Sequence, residues 1–414
     1  MNQARLTRLR TQLTEREPAM LDLLRRLVAI NSHTRNRAGV LANAELICAA
    51  FEPFGFRLER LPDDDPARGD HLCLQRRGDR PGAIVLVSHL DTVYTNAQEA
   101  ANQFRWREDG DRIYGPGVAD IKGGTALIWL VLSTLACAEP ELFQALEWIV
   151  LFNAAEEEGN RLFPPWARAK LANRPRALLV YEPGNRSTTG SGECVTTSRR
   201  GSSRFVVETF GREAHAGAAH PRGASAIRQL ARTIERIESM TDYSAGSTCN
   251  VGIIEGGVAS NTVPGWARAE VDARAESREA QAQQIAALLA LSGDGEIVSA
   301  EDPFRCRVSV HQTSCYPPWP ESAASRELAE LAAQLAAESG IDLHGERRGG
   351  ASDANHLWDL APTLCSLGPL GAHIHSSIHD PARGLFQESI ERQSIVPRAL
   401  LSCRLIERIA DRSE

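Results

Sequence analysis

No C-x-x-C pair occurs in this 414-residue chain, and its nine cysteines are odd in number and widely scattered. That excludes a disulfide framework and points to reduced thiols in a cytoplasm. There is no block of like charge either: 46 basic against 53 acidic residues give a net −7. The clustered positive surface that binding a nucleic-acid backbone requires is therefore missing. The longest apolar stretches, such as 125–138, fall short of the roughly 20 residues that cross a bilayer. The opening MNQARLTRLRTQLTEREP mixes charges and lacks the apolar h-region of a secretory signal. Neither nucleic acid nor membrane is an expected partner. Lysine is almost absent, Lys122 and Lys170 being the only two among the 46 basic residues. This reads as a composition bias, although a lysine in an arginine background marks position 122 as one that disfavours a guanidinium.

What is present suits a globular enzyme: 43% hydrophobic and 24% charged residues, in a chain long enough for two domains. Residues 4–30 predict an amphipathic helix, with Leu6, Leu9, Leu13, Leu21, Leu24 and Leu27 on one face around Pro18. Short buried-strand runs then alternate with helical patterns, the signature of an α/β sheet. The clearest strands are 83–88 (AIVLVS), 146–152 (LEWIVLF), 177–181 (ALLVY) and 363–367 (TLCSL), with helices at about 122–137, 322–338 and 390–410. Between 196 and 312 the texture changes. Residues 204–210 and 267–273 alternate polar and apolar, as half-exposed antiparallel strands do, with amphipathic helices near 222–240 and 276–292. The expected order is strand–helix–strand–strand–helix–strand. The segment is read as a domain inserted into the first, which spans 1–195 and 313–414.

Each buried strand of the first domain runs into side chains that can bind a metal. AIVLVS leads to His89-Leu90-Asp91, LEWIVLF to Glu156-Glu157-Glu158, ALLVY to Glu182, and TLCSL by a short loop to His373-Ile374-His375-Ser376. Ligands of α/β sheets bind beyond the carboxyl ends of the strands, so these groups are placed to converge. Asp120 stands within GPGVADIKGG, whose four glycines permit close backbone approach on both sides of the acid. Histidines and carboxylates without cysteine form a ligand set for a borderline divalent ion, zinc first. Five such candidates suggest two ions sharing a bridging carboxylate. Asp91, two residues from His89, is expected to orient its imidazole.

In order, HLDTV at 89–93, GPGVADIKGG at 115–124, FNAAEEEG at 152–159, YEPG at 181–184 and HIHS at 373–376 resemble the di-zinc aminoacylase/carboxypeptidase superfamily. That superfamily includes glutamate carboxypeptidase, acetylornithine deacetylase and succinyl-diaminopimelate desuccinylase. The resemblance extends from about residue 20 to 410. It implies a zinc-exopeptidase-like α/β catalytic domain, its mostly parallel sheet flanked by helices, and an inserted α+β, ferredoxin-like lid and dimerisation domain. It also implies two zinc ions per subunit, with cobalt and manganese as alternatives. His89, Asp120 and Glu182 would hold one and Asp120, Glu157 and His375 the other, with a cis peptide at Asp120-Ile121. Glu156 would be the general base. GREAHAG at 211–217 is similar to a lid segment whose histidine, here His215, reaches an active site and would stabilise the oxyanion. GGVASNTVP at 256–264 and DAR at 272–274 resemble the family's substrate-clamping segments, so Asn261 and Arg274 would hold the substrate's α-carboxylate.

A glutamate at position 182, with Phe152-Asn153, Glu182-Pro183, HAGAA at 215–219 and RGGASDA at 348–354, leans toward the glutamate carboxypeptidase branch. The implied activity is cleavage of an amide bond to a C-terminal amino acid, glutamate among the candidates. The alternative is an N-acyl-amino-acid deacylase or desuccinylase, and a metal-binding member without catalysis is a further one. The substrate would be a small peptide or N-acyl amino acid and the assembly a homodimer through the lid. Three departures from the family pattern stand out. Ala155 replaces an acid before Glu156. His373 and His379 are rivals of His375, which is preferred because Ser376 follows it. The stretch 377–387 (SIHDPARGLFQ) intervenes before Glu388, where the family keeps a glutamate a few residues after the histidine.

Overall fold

In the computed structural model, which describes residues 3–411 apart from 174 and 189, the buried runs assemble into one six-stranded sheet. Its order is Arg57–Leu61, His71–Arg76, Glu147–Asn153, Ala83–His89, Ala177–Val180, Thr363–Leu364. The last four are mutually parallel and the first two antiparallel. Ala83–His89 is buried along its whole length, which explains why it reads as a continuous apolar run: both faces are covered. The strand expected at 363–367 contributes only two residues to the ladder.

The covering helices are equally legible. Gln3–Val28 continues through Pro18 and packs with Gly124–Ala138 and Ile395–Asp411; Leu9, Leu13, Leu24 and Leu27 are buried in that contact. The apolar helix begins tightly. A Cβ on Gly124 would meet the carbonyl oxygen of Tyr181 at 1.9 Å, so glycine lets the helix end sit against the neighbouring strand's exit. Together with residues 118–123 this helix makes a 21-residue run long and apolar enough to cross a bilayer, but 78% of its apolar window is buried. It is a core helix.

The chain divides into two compact units: Met1–Ser198 with Glu321–Arg347 and Ser352–Glu414, and Arg199–Pro320 with Arg348–Ala351. The second unit is a five-stranded antiparallel sheet in the order Thr248–Gly256, Trp266–Ala275, Gly201–Phe210, Arg305–Tyr316, Gly293–Val298. Helices Ala226–Glu238 and Arg278–Leu289 pack on it. Trp266–Ala275 alternates strictly, its odd-numbered residues from Ala267 to Ala275 buried. The expected strand–helix order is present with one strand more. Two strands rather than one follow the second helix, Gly293–Val298 and Arg305–Tyr316.

A four-stranded antiparallel sheet of the first unit matters for the site. Its order is Gly371–Ala372, Ser389–Glu391, Arg112–Tyr114, Arg107–Asp109. Residues 373–388 are the loop of the hairpin between its first two strands.

Candidate metal centre

The sheet's parallel strands end side by side, and the residues after them meet. His89 is the last residue of its strand; Glu156 and Glu157 follow Asn153, and Glu182 follows Val180. Asp120 reaches the same place from a different device. The chain leaves helical geometry at Asp120 (φ −111°, ψ 87°) and Ile121 (φ −137°, ψ 21°), and the peptide between them is cis. Gly117, at φ +71° and with Thr92 Cγ2 only 2.5 Å from where a Cβ would lie, makes the preceding turn.

Two clusters result. Ligand atoms of His89, Asp120 and Glu182 lie within 4.8 Å of one another, and so do those of Asp120, Glu157 and His375. Asp120 belongs to both: one carboxylate oxygen is 3.1 Å from His89 Nε2 and the other 3.4 Å from His375 Nε2. His375 Nε2 is also 3.2 Å from Glu157. Among the described residues neither His373 nor His379 enters a cluster. His373 and His375 both adopt left-handed backbone, φ 55° and 63°, a conformation that non-glycine residues hold mostly where surroundings enforce it.

The electrostatics calls for cations. Burial alone disfavours the charged form of His89, but Asp120 and Asp91 outweigh it and its imidazole is raised well above its ordinary range. His375 is pushed up to about 11 by Asp120 and Glu157. Glu156 is raised well above the carboxylate range, first by burial and then by its acidic neighbours, and burial with the Asp120 charge also raises Glu157. Carboxylates packed this closely repel one another unless a positive charge sits between them. The donor set of nitrogen and carboxylate oxygen, without sulfur, fits zinc or a similar divalent ion.

Asp91 does more than orient His89. His89 Nδ1 is nearer the main-chain oxygen of Asp91 (3.0 Å) than its carboxylate (3.3 Å). The carboxylate instead accepts the backbone N–H of Glu156 at 3.0 Å, that of Glu157 at 3.2 Å and the Thr34 hydroxyl at 2.7 Å. One buried carboxylate therefore sets the turn on which both glutamates stand. Asn153 braces that turn from the strand, accepting from Ala155 N at 3.0 Å and donating to Asp353 at 2.8 Å. Asp353 is raised to about 7, mainly by burial. From below, His71 Nδ1 accepts the N–H of Ala154 at 2.9 Å, and its Nε2 lies 3.3 Å from Asp63.

Glu388 returns to the centre despite the eleven residues inserted before it. Fully buried, it accepts the N–H groups of Ala119 (2.8 Å) and Asp120 (3.0 Å) and the Tyr94 hydroxyl (2.5 Å). Lys122 is buried too, its ammonium donating to the Ile30 carbonyl at 2.9 Å and pushed down to about 8 by burial. Thr34, Asp63, His71 and Tyr94 have no signal in the sequence. Each is a common residue whose partner is distant in the chain.

The other three predicted residues lie in the second unit. His215 pairs with Thr262 in a two-residue ladder, and Ala216 N donates to the Asn261 carbonyl at 2.9 Å. Arg274 is held by Asp272, two positions along its strand, through two hydrogen bonds of 2.6 and 2.7 Å.

Residues 197–295 match the peptidase dimerisation domain of the M20 type. Carboxypeptidase G2 of Pseudomonas sp. (strain RS-16) is 27% identical over 95% of this chain and 90% of its own. A succinyl-diaminopimelate desuccinylase of Sphingopyxis alaskensis is 26% identical over 92% of this chain and 97% of its own. Among solved structures, an M20 family metallo-carboxypeptidase of Sulfolobus solfataricus superposes with a TM-score of 0.71 at 12% identity, covering 94% of this chain and 99% of its own. The fold is shared throughout.

Proposed function

We propose that this chain, a homologue of the M20 metallopeptidases and amide hydrolases over nearly its whole length, cleaves the amide bond to a C-terminal amino acid. Glutamate is a candidate for that residue, and removal of an N-acyl group from an amino acid is the second reading. The observation that carries the proposal is the pair of ligand clusters sharing Asp120, with Glu156 close enough to feel the charges of His89, Glu182 and Glu157. His89, Asp120 and Glu182 would hold one divalent ion, and Asp120, Glu157 and His375 the other, zinc being the best match to the donors. Such ions, when bound, lower the proton affinity of water and polarise a carbonyl oxygen.

The chain's own residues would do the rest. Glu156 takes the proton of the attacking water and returns it to the leaving amine. Asp91 holds the amides of Glu156 and Glu157 so that base and ligand keep their spacing. His215 is proposed as a donor to the developing oxyanion, and Arg274 and Asn261 as contacts of the substrate's α-carboxylate. A homodimer is supported by the Thr248–Gly256 strand, which lies at an edge of its sheet and exposes Ile253 and Ile254. Nine free thiols support a reducing, cytoplasmic setting.

The decisive experiment compares zinc-loaded wild type with Glu156→Gln on N-acyl amino acids, C-terminal glutamyl amides and free-amine dipeptides. The expected result is cleavage of the blocked substrates, with kcat lowered by about 10²–10⁴ in the variant and metal content unchanged. Undiminished turnover by Glu156→Gln overturns the base assignment, and preference for free-amine dipeptides overturns the substrate class.

A further inference from the structure

Lys122 stands in a chain whose basic residues are otherwise nearly all arginine. The other lysine, Lys170, follows the usual surface pattern, with Glu59 at 2.5 Å and the Trp166 ring at 5.6 Å. Lys122 is 4% exposed and makes no ion pair among the described residues; its ammonium donates to one main-chain carbonyl, that of Ile30, at 2.9 Å. Moving an ammonium out of water onto a single neutral acceptor costs the fold free energy, so what the bond supplies is a position. Ile30 follows the helix Gln3–Val28. The last carbonyls of a helix lack partners within it, and its dipole favours a cation there. Lys122 thus fastens the turn that carries Asp120 to the end of the amino-terminal helix.

The segment that starts at Ile30 is tied to the metal centre at both ends. At one end Lys122 reaches it from the turn of Asp120, the residue common to both ligand clusters. At the other, the Thr34 hydroxyl donates at 2.7 Å to Asp91, the carboxylate that also accepts the amides of Glu156 and Glu157. Between these ends the segment is laced to residues 92–94. Thr92 N donates to Ser32 O at 2.9 Å, Thr34 N to Thr92 O at 3.2 Å, and Asn31 Nδ2 to Tyr94 O at 2.8 Å. Ser32 and Thr34 are buried. Residues 30–34 are therefore a braced link between the Asp120 turn and the glutamate turn.

We propose that Lys122 is a positioning residue for the metal centre: through Ile30 and the link 30–34 it sets where the glutamate turn stands relative to Asp120. Asp120 keeps its own amide bond to Glu388, so loss of Lys122 is passed along the link to Asp91 and from there to Glu157. The cluster of Asp120, Glu157 and His375 draws on both turns. In the other cluster His89 ends its strand and Glu182 stands two residues beyond Val180, so that cluster is spared. The inference rests on the proposed two-ion reading of the centre.

The test is cobalt binding to the full chain, measured by competition with a chromophoric chelator and by the ligand-field spectrum. Wild type is expected to bind two ions. Lys122→Met is expected to lower the affinity for one ion about 10–100-fold and to leave the other at its wild-type value, with the spectrum of the ion that Glu157→Ala retains. Methionine fills the place of the lysine stem without a charge, so the urea midpoint of the metal-free variant should equal or exceed that of wild type. A merely structural lysine would lower the midpoint and spare the metal. Thr34→Val cuts the link at its far end with Lys122 in place and should give the same selective loss; the double variant should lose no more than the worse single one. Equal weakening of both ions, losses that add in the double variant, or unaltered cobalt affinity in Thr34→Val overturns the inference, the last even where Lys122→Met fails to fold. A wild type that binds fewer than two ions removes the two-ion reading and the inference with it. Two ions at wild-type affinity in every variant except Glu157→Ala remove the inference alone.

Discussion

Replacing Asp63 by asparagine isolates the support beneath the glutamate turn. Its side chain is fully buried and receives the Asp65 N–H at 2.8 Å and a short bond from Asn160 Nδ2. His71 uses Nδ1 to accept the N–H of Ala154, so its proton sits on Nε2, 3.3 Å from the Asp63 carboxylate. Burial works against the Asp63 carboxylate, but the hydrogen bonds from His71 and Asp65 outweigh it and hold the group down at about 2, from an ordinary 3.8. A folded-state value below the unfolded one stabilises the fold above the unfolded value and loses that stabilisation as pH falls through the folded one. The shift corresponds to about 2 kcal/mol at pH 7. About half of it is gone by pH 3, and nearly all once the pH is below 2. Asp63→Asn is therefore expected to lower the stability of the metal-free protein by about 2 kcal/mol at neutral pH. The difference from wild type should shrink steadily below pH 4. Urea unfolding followed by tryptophan fluorescence at pH 7, 4 and 3 measures it. A difference within about 0.5 kcal/mol at pH 7, the range of a neutral surface change, or one that does not move with pH, refutes the reasoning.

Two further outcomes follow from the geometry. Glu388→Ala strips the acceptor from the buried amides of Ala119 and Asp120; metal affinity should fall about 10–100-fold by competition with a chromophoric chelator, with Tyr94→Phe milder. An unchanged affinity would show that Asp120 needs no such brace. Ile254→Lys places a charge on the exposed edge strand of the second unit, where Ile254 is 60% exposed. Wild type should have the mass of a dimer by light scattering and the variant that of a monomer, while a monomeric wild type removes the edge-pairing reading.

Much of the framework was legible in residue order. Continuous apolar runs announce buried parallel strands because both faces are covered, and the candidate metal ligands lie where those runs stop. His89, Glu156, Glu157 and Glu182 could therefore be picked out from the chain alone. Asp120 and His375 needed the resemblance as well, since neither directly ends a strand. Locating the alternating strands of the second unit needed only their period of two; Gly293–Val298 alternates in burial as well, but glycine fills an inward position and weakens the apolar signal.

Tertiary structure decided which atoms meet. Asp91 read as a partner of His89, yet its carboxylate holds Thr34, 57 residues away, and the amides of both glutamates. Tyr94 and Glu388 are 294 positions apart, and the His71 bond to Ala154 spans 83. Burial leaves a mark on sequence because it repeats with the local period of the strand or helix. A single hydrogen bond between distant segments repeats nowhere, so it becomes visible only once the chain has folded.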